Sequence, residues 1–149
     1  MTDVVAQLNA GLAQLVPRAH EMGVRFVAAD PGTVRAALPV EGNGNHFGTI
    51  YAGVIFTLAE VLGGALHFAT FDATTHYPLV RSMSIDFVAA GRTPLIAQAT
   101  LDADSVARVR AEAADGGKPR FELRATVANE SGTVVASTVG DYQLRPYGS

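Results

Sequence analysis

The spacing of apolar residues predicts two long helices in this chain. Apolar side chains recur every three or four positions over residues 4–16, which predicts an amphipathic helix that starts near Asp3 and is closed by Pro17. A longer segment, residues 51–70, predicts a helix that is apolar nearly all round. Because such a helix has to be covered on most sides, we expect the rest of the chain to pack around it.

The remaining apolar segments predict strands, because they alternate with polar positions or are bounded by Gly, Pro, Asn and Asp. These strands cover residues 24–29, 33–40, 80–89, 95–101, 120–129 and 133–144, and a short helix covers 104–115. Six strands are too many for a flat sheet beside one helix. The sequence therefore predicts an α+β fold in which a curved antiparallel sheet wraps around the central helix and leaves one side of it open.

Composition narrows the class of protein. A length of 149 residues fits one domain, 1–149, in which residues 1–20 form an N-terminal helical segment. Hydrophobic residues make up 48% of the chain and charged residues 17%, which excludes a disordered protein. The absence of cysteine excludes disulfides and a cysteine nucleophile and is typical of the reducing cytoplasm. A net charge of −3 argues against a nucleic-acid partner.

We expect neither a signal peptide nor a membrane-spanning helix. The N-terminus carries no basic stretch followed by a long apolar run. The most apolar segment, residues 52–69, has the carboxylate of Glu60 near its centre, which is costly inside a bilayer. A buried helix of a protein without a membrane partner is the better interpretation.

One stripe of the central helix collects its small and polar residues. At 100° per residue, the intervals of three and four residues place these positions on one face: Gly53, Thr57, Glu60, Gly64 and His67. Two glycines inside a helix cost about 1 kcal/mol each relative to alanine, so close approach by a ligand or another helix should offset that cost. Two interpretations stay open here, namely a packing stripe with an inert Glu60, and a ligand site.

The start of the helix favours the ligand site. The backbone N–H groups of Ala52 and Gly53 lie in the first turn, where they lack acceptors and carry the positive end of the helix dipole. Such groups can polarise a carbonyl oxygen, as an oxyanion hole does. Glu60 lies two turns further on, roughly 10 Å along the axis. A thioester between them would have its oxygen at the helix start and its carbonyl carbon exposed to water held by Glu60.

These motifs resemble the hotdog-fold thioesterase superfamily, and within it a less characterised branch related to the phenylacetate-pathway enzymes. The resemblance extends over residues 24–144 and includes the segment 81–87 and the turn at Gly91. It is carried by the loop and helix residues Asn45-His46-Phe47-Gly48-Thr49-Ile50-Tyr51-Ala52-Gly53 and Leu58-Ala59-Glu60. Many members have His and Gly where this chain has Tyr51 and Ala52.

The resemblance implies a role for each matching position. Glu60 would be the general base or nucleophile, the Gly53 or Ala52 amide would polarise the thioester carbonyl, and Asn45 would position water or the carbonyl across a subunit interface. The substrate-binding positions are then Ala52, Tyr51, Thr57, His46 and Gly64. The substrate would be acyl-CoA or an acyl carrier thioester. The family also implies a homodimer, with a tetramer as the alternative assembly, whose second subunit closes the open side of the helix.

Two other functions fit the same fold. Hotdog dehydratases and hydratases use a His-Phe pair followed by a helix Glu, and His46-Phe47 precedes Glu60 at a similar spacing; their loop is proline-rich after the His, whereas here Gly48 follows Phe47. A non-catalytic acyl-CoA-binding protein is the second alternative. The histidines lack metal-ligand spacing, so we expect no metal site and no cofactor.

Overall fold

The N-terminal segment folds as two helices rather than one. The computed structural model describes residues 3–149. The predicted N-terminal segment 1–20 and the predicted domain 1–149 both include Met1 and Thr2, which lie outside the described residues. Helix α1 spans Val4–Leu15 and is capped by Asp3, whose carboxylate accepts from the Val5 N–H at 3.0 Å. Helix α2 spans Pro17–Glu21. Pro17 therefore begins a helix, because its fixed φ suits the first helical position while the residue before it leaves the helical region.

Six antiparallel strands form one sheet. Their bounds are β1 Arg25–Asp30, β2 Thr33–Leu38, β3 His76–Phe87, β4 Leu95–Thr100, β5 Arg120–Ala128 and β6 Val134–Pro146, and their order in the sheet is β1-β2-β4-β5-β6-β3. The predicted α+β architecture, with the sheet around a central helix, is confirmed. Strands β1 and β3 are the two edges of the sheet.

The third strand starts earlier than the sequence pattern predicted. It begins at His76 instead of residue 80, and it contains Pro78, which pairs with Leu144 of β6. Proline cannot donate to a neighbouring strand, so it is tolerated where a strand has a partner on one side only. The edge position of β3 thus explains how Pro78 extends a strand that a proline would otherwise interrupt.

The central helix α3 spans Ala52–Thr70 and fills the concave side of the sheet. Leu58, Leu62 and Leu66 are fully buried there and face the inward residues of the strands. By length and composition this helix could cross a membrane, but most of it is buried inside the fold. Its apolar surface is therefore explained by the protein core. The last helix, α4, spans Ala103–Ala114 and is capped by Asp102, whose carboxylate accepts from the Ser105 N–H at 2.7 Å.

Candidate active site

Glu60 is a half-buried carboxylate on the open side of α3. Among residues 3–149 its side-chain oxygens have neither a hydrogen bond nor a salt bridge. Burial alone raises the pKa of this carboxyl above its usual value, because the charged form loses hydration without gaining a partner. A partly desolvated carboxylate without a partner is costly in a purely structural position. It is also the state that a general base or nucleophile requires.

Two cavities meet at Glu60. One, of about 400 Å³, lies between α3 and β3 and is lined by Thr57, Glu60 and Arg81 together with apolar neighbours. The other, of about 370 Å³, lies between α1 and α3 and is lined by Glu60, Gly64 and mostly apolar side chains. Volumes of this size are typical of small-molecule sites. Glu60 thus lies where the two cavities join.

Tyr142 holds the backbone of α3 next to this carboxylate. Its hydroxyl donates to the Glu60 carbonyl oxygen at 3.4 Å, and its ring stacks on Phe121 with the centroids 5.7 Å apart. Burial and the Glu60 charge both raise the pKa of the Tyr142 hydroxyl, so it stays protonated and remains a donor. Sequence reasoning missed this residue. The inward alternation along β6 could have placed its ring in the core, but not beside Glu60.

The first turn of α3 presents free backbone donors. The N–H groups of Val54 and Ile55 are satisfied by the Tyr51 carbonyl, whereas those of Ala52 and Gly53 have no acceptor among residues 3–149. The ring of Tyr51 folds over this turn, and a Cβ on Gly53 would lie 2.7 Å from its Cε2. The glycine at position 53 is therefore explained by the ring of Tyr51 in the same chain. The two free N–H groups can still polarise an oxygen that approaches from outside.

Asn45 organises the loop before the helix. Its Oδ1 accepts from the Phe47 N–H at 2.9 Å and from the Thr49 N–H at 3.1 Å, and its Nδ2 donates to Thr49 Oγ1 at 3.0 Å. The loop is also tied to the fold by the Ile50 N–H, which donates to the Gly91 carbonyl at 2.8 Å. One hydrogen of the Asn45 Nδ2 remains for a ligand. The main structural effect of the Asn45 side chain is to fix the loop from which the chain enters α3.

The structure brings together only part of the predicted site within one chain. Thr57 and Gly64 line the cavities that contain Glu60, and Thr57 Oγ1 also donates to the Gly53 carbonyl at 2.9 Å. The remaining predicted residues line neither cavity and lie at or before the start of α3: Asn45, His46, Tyr51, Ala52 and Gly53. The candidate site of one chain therefore has two halves, a helix N-terminus and a carboxylate two turns away.

Two histidines near the site have different environments. His67, which follows the stripe by its spacing, is a buried histidine at the end of the helix, and its Nε2 lies 3.0 Å from the His76 carbonyl oxygen. The stripe is covered there because β3 begins at His76. Burial lowers the pKa of His67 and keeps it neutral. His46 is exposed and lies against the Phe47 ring, with centroids 3.9 Å apart. Across the described residues 3–149, no group of three or more His, Asp or Glu side chains is arranged to hold a metal ion.

The sheet order, the enclosed helix and the carboxylate on its open face define a hotdog-fold protein of the thioesterase-like kind, and solved structures with the same fold support this class. A Pseudomonas aeruginosa protein, PA5026, described as a probable thioesterase of unknown function, shares 36% identity over 95% of this chain and 96% of its own, with a TM-score of 0.86. A Haemophilus influenzae thioesterase, HI1161, shares the fold at 14% identity, covering 100% of this chain and 95% of its own, with a TM-score of 0.80.

A Chlorobaculum tepidum protein of unknown function is similar in fold, at 18% identity over 95% of this chain and 94% of its own, with a TM-score of 0.84. No curated protein matches the sequence significantly. A family model described as a domain of unknown function, DUF4442, matches residues 5–142. The chain therefore belongs to the DUF4442 family. The predicted resemblance to hotdog-fold thioesterases is confirmed.

Proposed function

We propose that this protein hydrolyses acyl thioesters, with acyl-CoA or an acyl carrier as the substrate and Glu60 as the catalytic residue. The observation that carries the proposal is the half-buried carboxylate of Glu60, which has no partner among residues 3–149 and lies at the junction of two cavities. The description of structural neighbours as thioesterases supports the same reaction. On the composition of the chain, we place this reaction in the cytoplasm.

Glu60 acts as a base in its deprotonated form. The carboxylate takes a proton from a water molecule, the water oxygen bonds to the thioester carbonyl carbon, and the carbonyl electron pair moves onto its oxygen. When the carbonyl re-forms, the carbon–sulfur bond breaks and the thiolate takes a proton, so the products are a carboxylic acid and a thiol. In the nucleophilic variant, a carboxylate oxygen attacks first and water then hydrolyses the resulting anhydride. Burial of Glu60 favours both the general-base route and the nucleophilic route, because a raised pKa makes the carboxylate more basic.

The free N–H groups of Ala52 and Gly53 stabilise the oxyanion. Roughly 10 Å of helix separates the Gly53 amide from Glu60, whereas donors and base must each lie within about 3 Å of the reacting groups. A second copy of the chain that brings its own helix start to Glu60 removes this separation. We therefore propose a homodimer with shared sites, in which Asn45 of one chain fixes the loop that faces Glu60 of the other.

The edge strand β3 supports this assembly. It is twelve residues long, it pairs with β6 on one side only, and Leu79, Val80 and Phe87 are exposed on it. Long exposed edges of this kind invite pairing with another chain. Light scattering at micromolar concentration should give the mass of a dimer, or of a tetramer built from dimers. A folded monomer would contradict the shared site.

The proposed activity is tested by measuring thiol release from a panel of aliphatic and aryl acyl-CoA esters. We expect release with a subset of the panel at rates above the spontaneous reaction. If the whole panel is silent but the esters bind, the protein is a non-catalytic acyl-CoA-binding protein and the proposal is wrong. The hydratase alternative is tested in parallel with an enoyl-CoA, by loss of its conjugated absorbance.

A further inference from the structure

The cavity between α1 and α3 is a slot with one polar end. Leu8, Gly11 and Leu15 of α1 line one wall, and Glu60, Gly64 and Phe68 of α3 line the other. Glu60 is the only charged side chain among the lining residues that the structure describes. Leu15 and Phe68 are large exposed hydrophobic residues two turns away from Gln7 and Glu60 along their helices. A ligand in this slot would thus have a reactive or polar group at Glu60 and an apolar body beyond it.

Two glycines keep the middle of the slot open. A Cβ added at Gly11 or at Gly64 would meet no heavy atom of the described residues within 4 Å. Glycine inside a helix is unfavourable relative to alanine, and close packing does not explain it at either position. Side chains at these two positions would project into the slot from opposite walls. Their absence preserves space for a ligand instead of allowing the helices to touch.

The slot is preformed because α1 is fastened to the edge strand β1. Asn9 Nδ2 donates to the Phe26 carbonyl at 2.9 Å, and the Phe26 N–H donates to Asn9 Oδ1 at 2.8 Å. This pair of hydrogen bonds lies where the register of β1 shifts between Phe26 and Ala28. Phe26 itself is buried and lines the slot. The position of α1 over α3 is therefore fixed by the fold.

The dimensions of the slot select a chain length. From Glu60 to Phe68 the rise of the helix is about 12 Å, at 1.5 Å per residue. An extended chain advances about 1.1–1.2 Å per bond, since a residue of three bonds spans about 3.3–3.6 Å. About ten bonds therefore fit between the carboxylate and the far end. The slot matches a straight chain of about eight to ten carbons.

We propose that this slot holds the saturated, straight acyl chain of a medium-chain thioester, and that Gly11 and Gly64 set the chain length. The assignment rests on the proposed function, because it is the thioester at Glu60 that directs the chain into the slot. Pantetheine is the part that coenzyme A and acyl carriers share, and it would leave through the groove between α3 and β3. Glu60 and Val80 line both cavities, which makes the path continuous.

The test measures binding without catalysis. S-alkyl-pantetheine thioethers from butyl to hexadecyl cannot be hydrolysed, and their affinity for the full chain is measured by calorimetry. With the native sequence, affinity should rise about fourfold per methylene, since about 0.8 kcal/mol per buried methylene corresponds to that factor, and it should stop rising near decyl. In Gly64→Leu and in Gly11→Leu, the increase in affinity with alkyl length should end at the hexyl thioether or at a shorter one. Ala10→Leu places the same side chain on the exposed side of α1 and should leave the profile unchanged.

The outcomes separate this inference from the proposed function. If Gly64→Leu binds the whole series as the native protein does, or if native affinity is independent of chain length or absent, the inference is wrong. Thiol release that is present but has the same chain-length profile in native protein and Gly64→Leu also overturns it and leaves the proposed function intact. A cut-off near decyl without any thiol release supports the slot and overturns hydrolysis. Gly64→Ala, which favours the helix, provides a folded variant with a smaller shift of the cut-off if Gly64→Leu fails to fold.

Discussion

Gly63 and Gly64 are neighbours in α3, yet they face two different regions of the molecule. A Cβ at Gly63 would overlap the ring of Tyr142, whereas a Cβ at Gly64 would meet no atom of residues 3–149 within 4 Å. The first glycine lets a core ring press against the helix. The second leaves a cavity beside Glu60 empty. The same residue type thus serves packing on one side of the helix and a ligand space on the other.

The contrast extends along the whole helix. On the packed side, Leu58, Leu62 and Leu66 have no accessible surface and fix α3 in the sheet. On the open side, Glu60 is half-buried and its pKa is raised by burial without a compensating partner. Rigid packing on one side allows the other side to keep an unfavourable carboxylate in place. Stability and function are therefore assigned to opposite faces of one helix.

The largest expected effect on stability is at Gly63. Gly63→Ala forces a methyl group against Tyr142, whose ring is confined between α3 and Phe121, and should destabilise the fold by about 3 kcal/mol. In a chain of this size that lowers Tm by roughly 6–12 °C, measured by thermal denaturation. The same substitution in a Tyr142→Ala background is the control, where the loss should largely disappear. An equal loss in both backgrounds would show that the Tyr142 ring is not the cause.

A smaller loss is expected at Asn9. Asn9→Ala removes both hydrogen bonds to the backbone of Phe26 and should cost about 1–2 kcal/mol, as well as increase amide exchange in α1. Because α1 forms one wall of the slot, binding of the decyl thioether should weaken too. Asn129→Ala, which removes hydrogen bonds in an exposed hairpin turn, is a comparison that should leave alkyl binding unchanged. Undiminished binding in Asn9→Ala would show that the slot does not depend on this attachment.

Gly64→Ala should stabilise the protein, in contrast to its neighbour. Alanine in a helix interior is favoured over glycine by about 0.5–1 kcal/mol, and the new methyl group has free space. Denaturant unfolding should show a higher midpoint at an unchanged m value. A decrease in stability would mean that the slot closes in solution and that the two sides of α3 do not differ as described.

The smallest effect concerns the pH dependence of stability. Because burial raises the pKa of Glu60 in the folded protein, the folded state binds the proton more tightly than the unfolded state. The contribution of Glu60 to stability is therefore complete at pH values below the pKa that Glu60 has in the unfolded protein. It falls as the pH rises through the pKa that Glu60 has in the folded protein. Relative to Glu60→Gln, the native protein should lose stability over this range. Parallel stability curves of the two proteins from acid to neutral pH would contradict a desolvated Glu60.

Sequence alone predicted the sheet, the central helix and the position of Glu60 on its open face, because each rests on a local pattern. Apolar periodicity identified α3 to within one residue at its start, and the intervals of three and four placed Thr57, Glu60 and Gly64 on one face. These features depend on backbone geometry that is the same in every helix. The fold class could be predicted from the number of strands and from the presence of one buried helix.

The errors arose where distant segments meet. Periodicity placed Gly64 but not Gly63 on the open face, yet it could not show that the ring of Tyr142 in β6 is what packs against Gly63. It could not show that the start of β3 covers His67 at that end of the helix. The part of α1 that forms the slot was seen only as an amphipathic helix. Contacts between segments far apart in the chain thus set the shape of the site, and local patterns do not contain them.

The most direct test of the central claim is the turnover of Glu60→Gln on the best thioester found in the panel. Glutamine keeps the shape and hydrogen-bonding capacity of the side chain but cannot act as a base. We predict that kcat falls by about 10²–10⁴, while affinity for an S-alkyl-pantetheine thioether changes little. Glu130→Gln, at an exposed turn, should retain native turnover. Native turnover in a folded Glu60→Gln protein would contradict the account, because Glu60 would then be a packing residue.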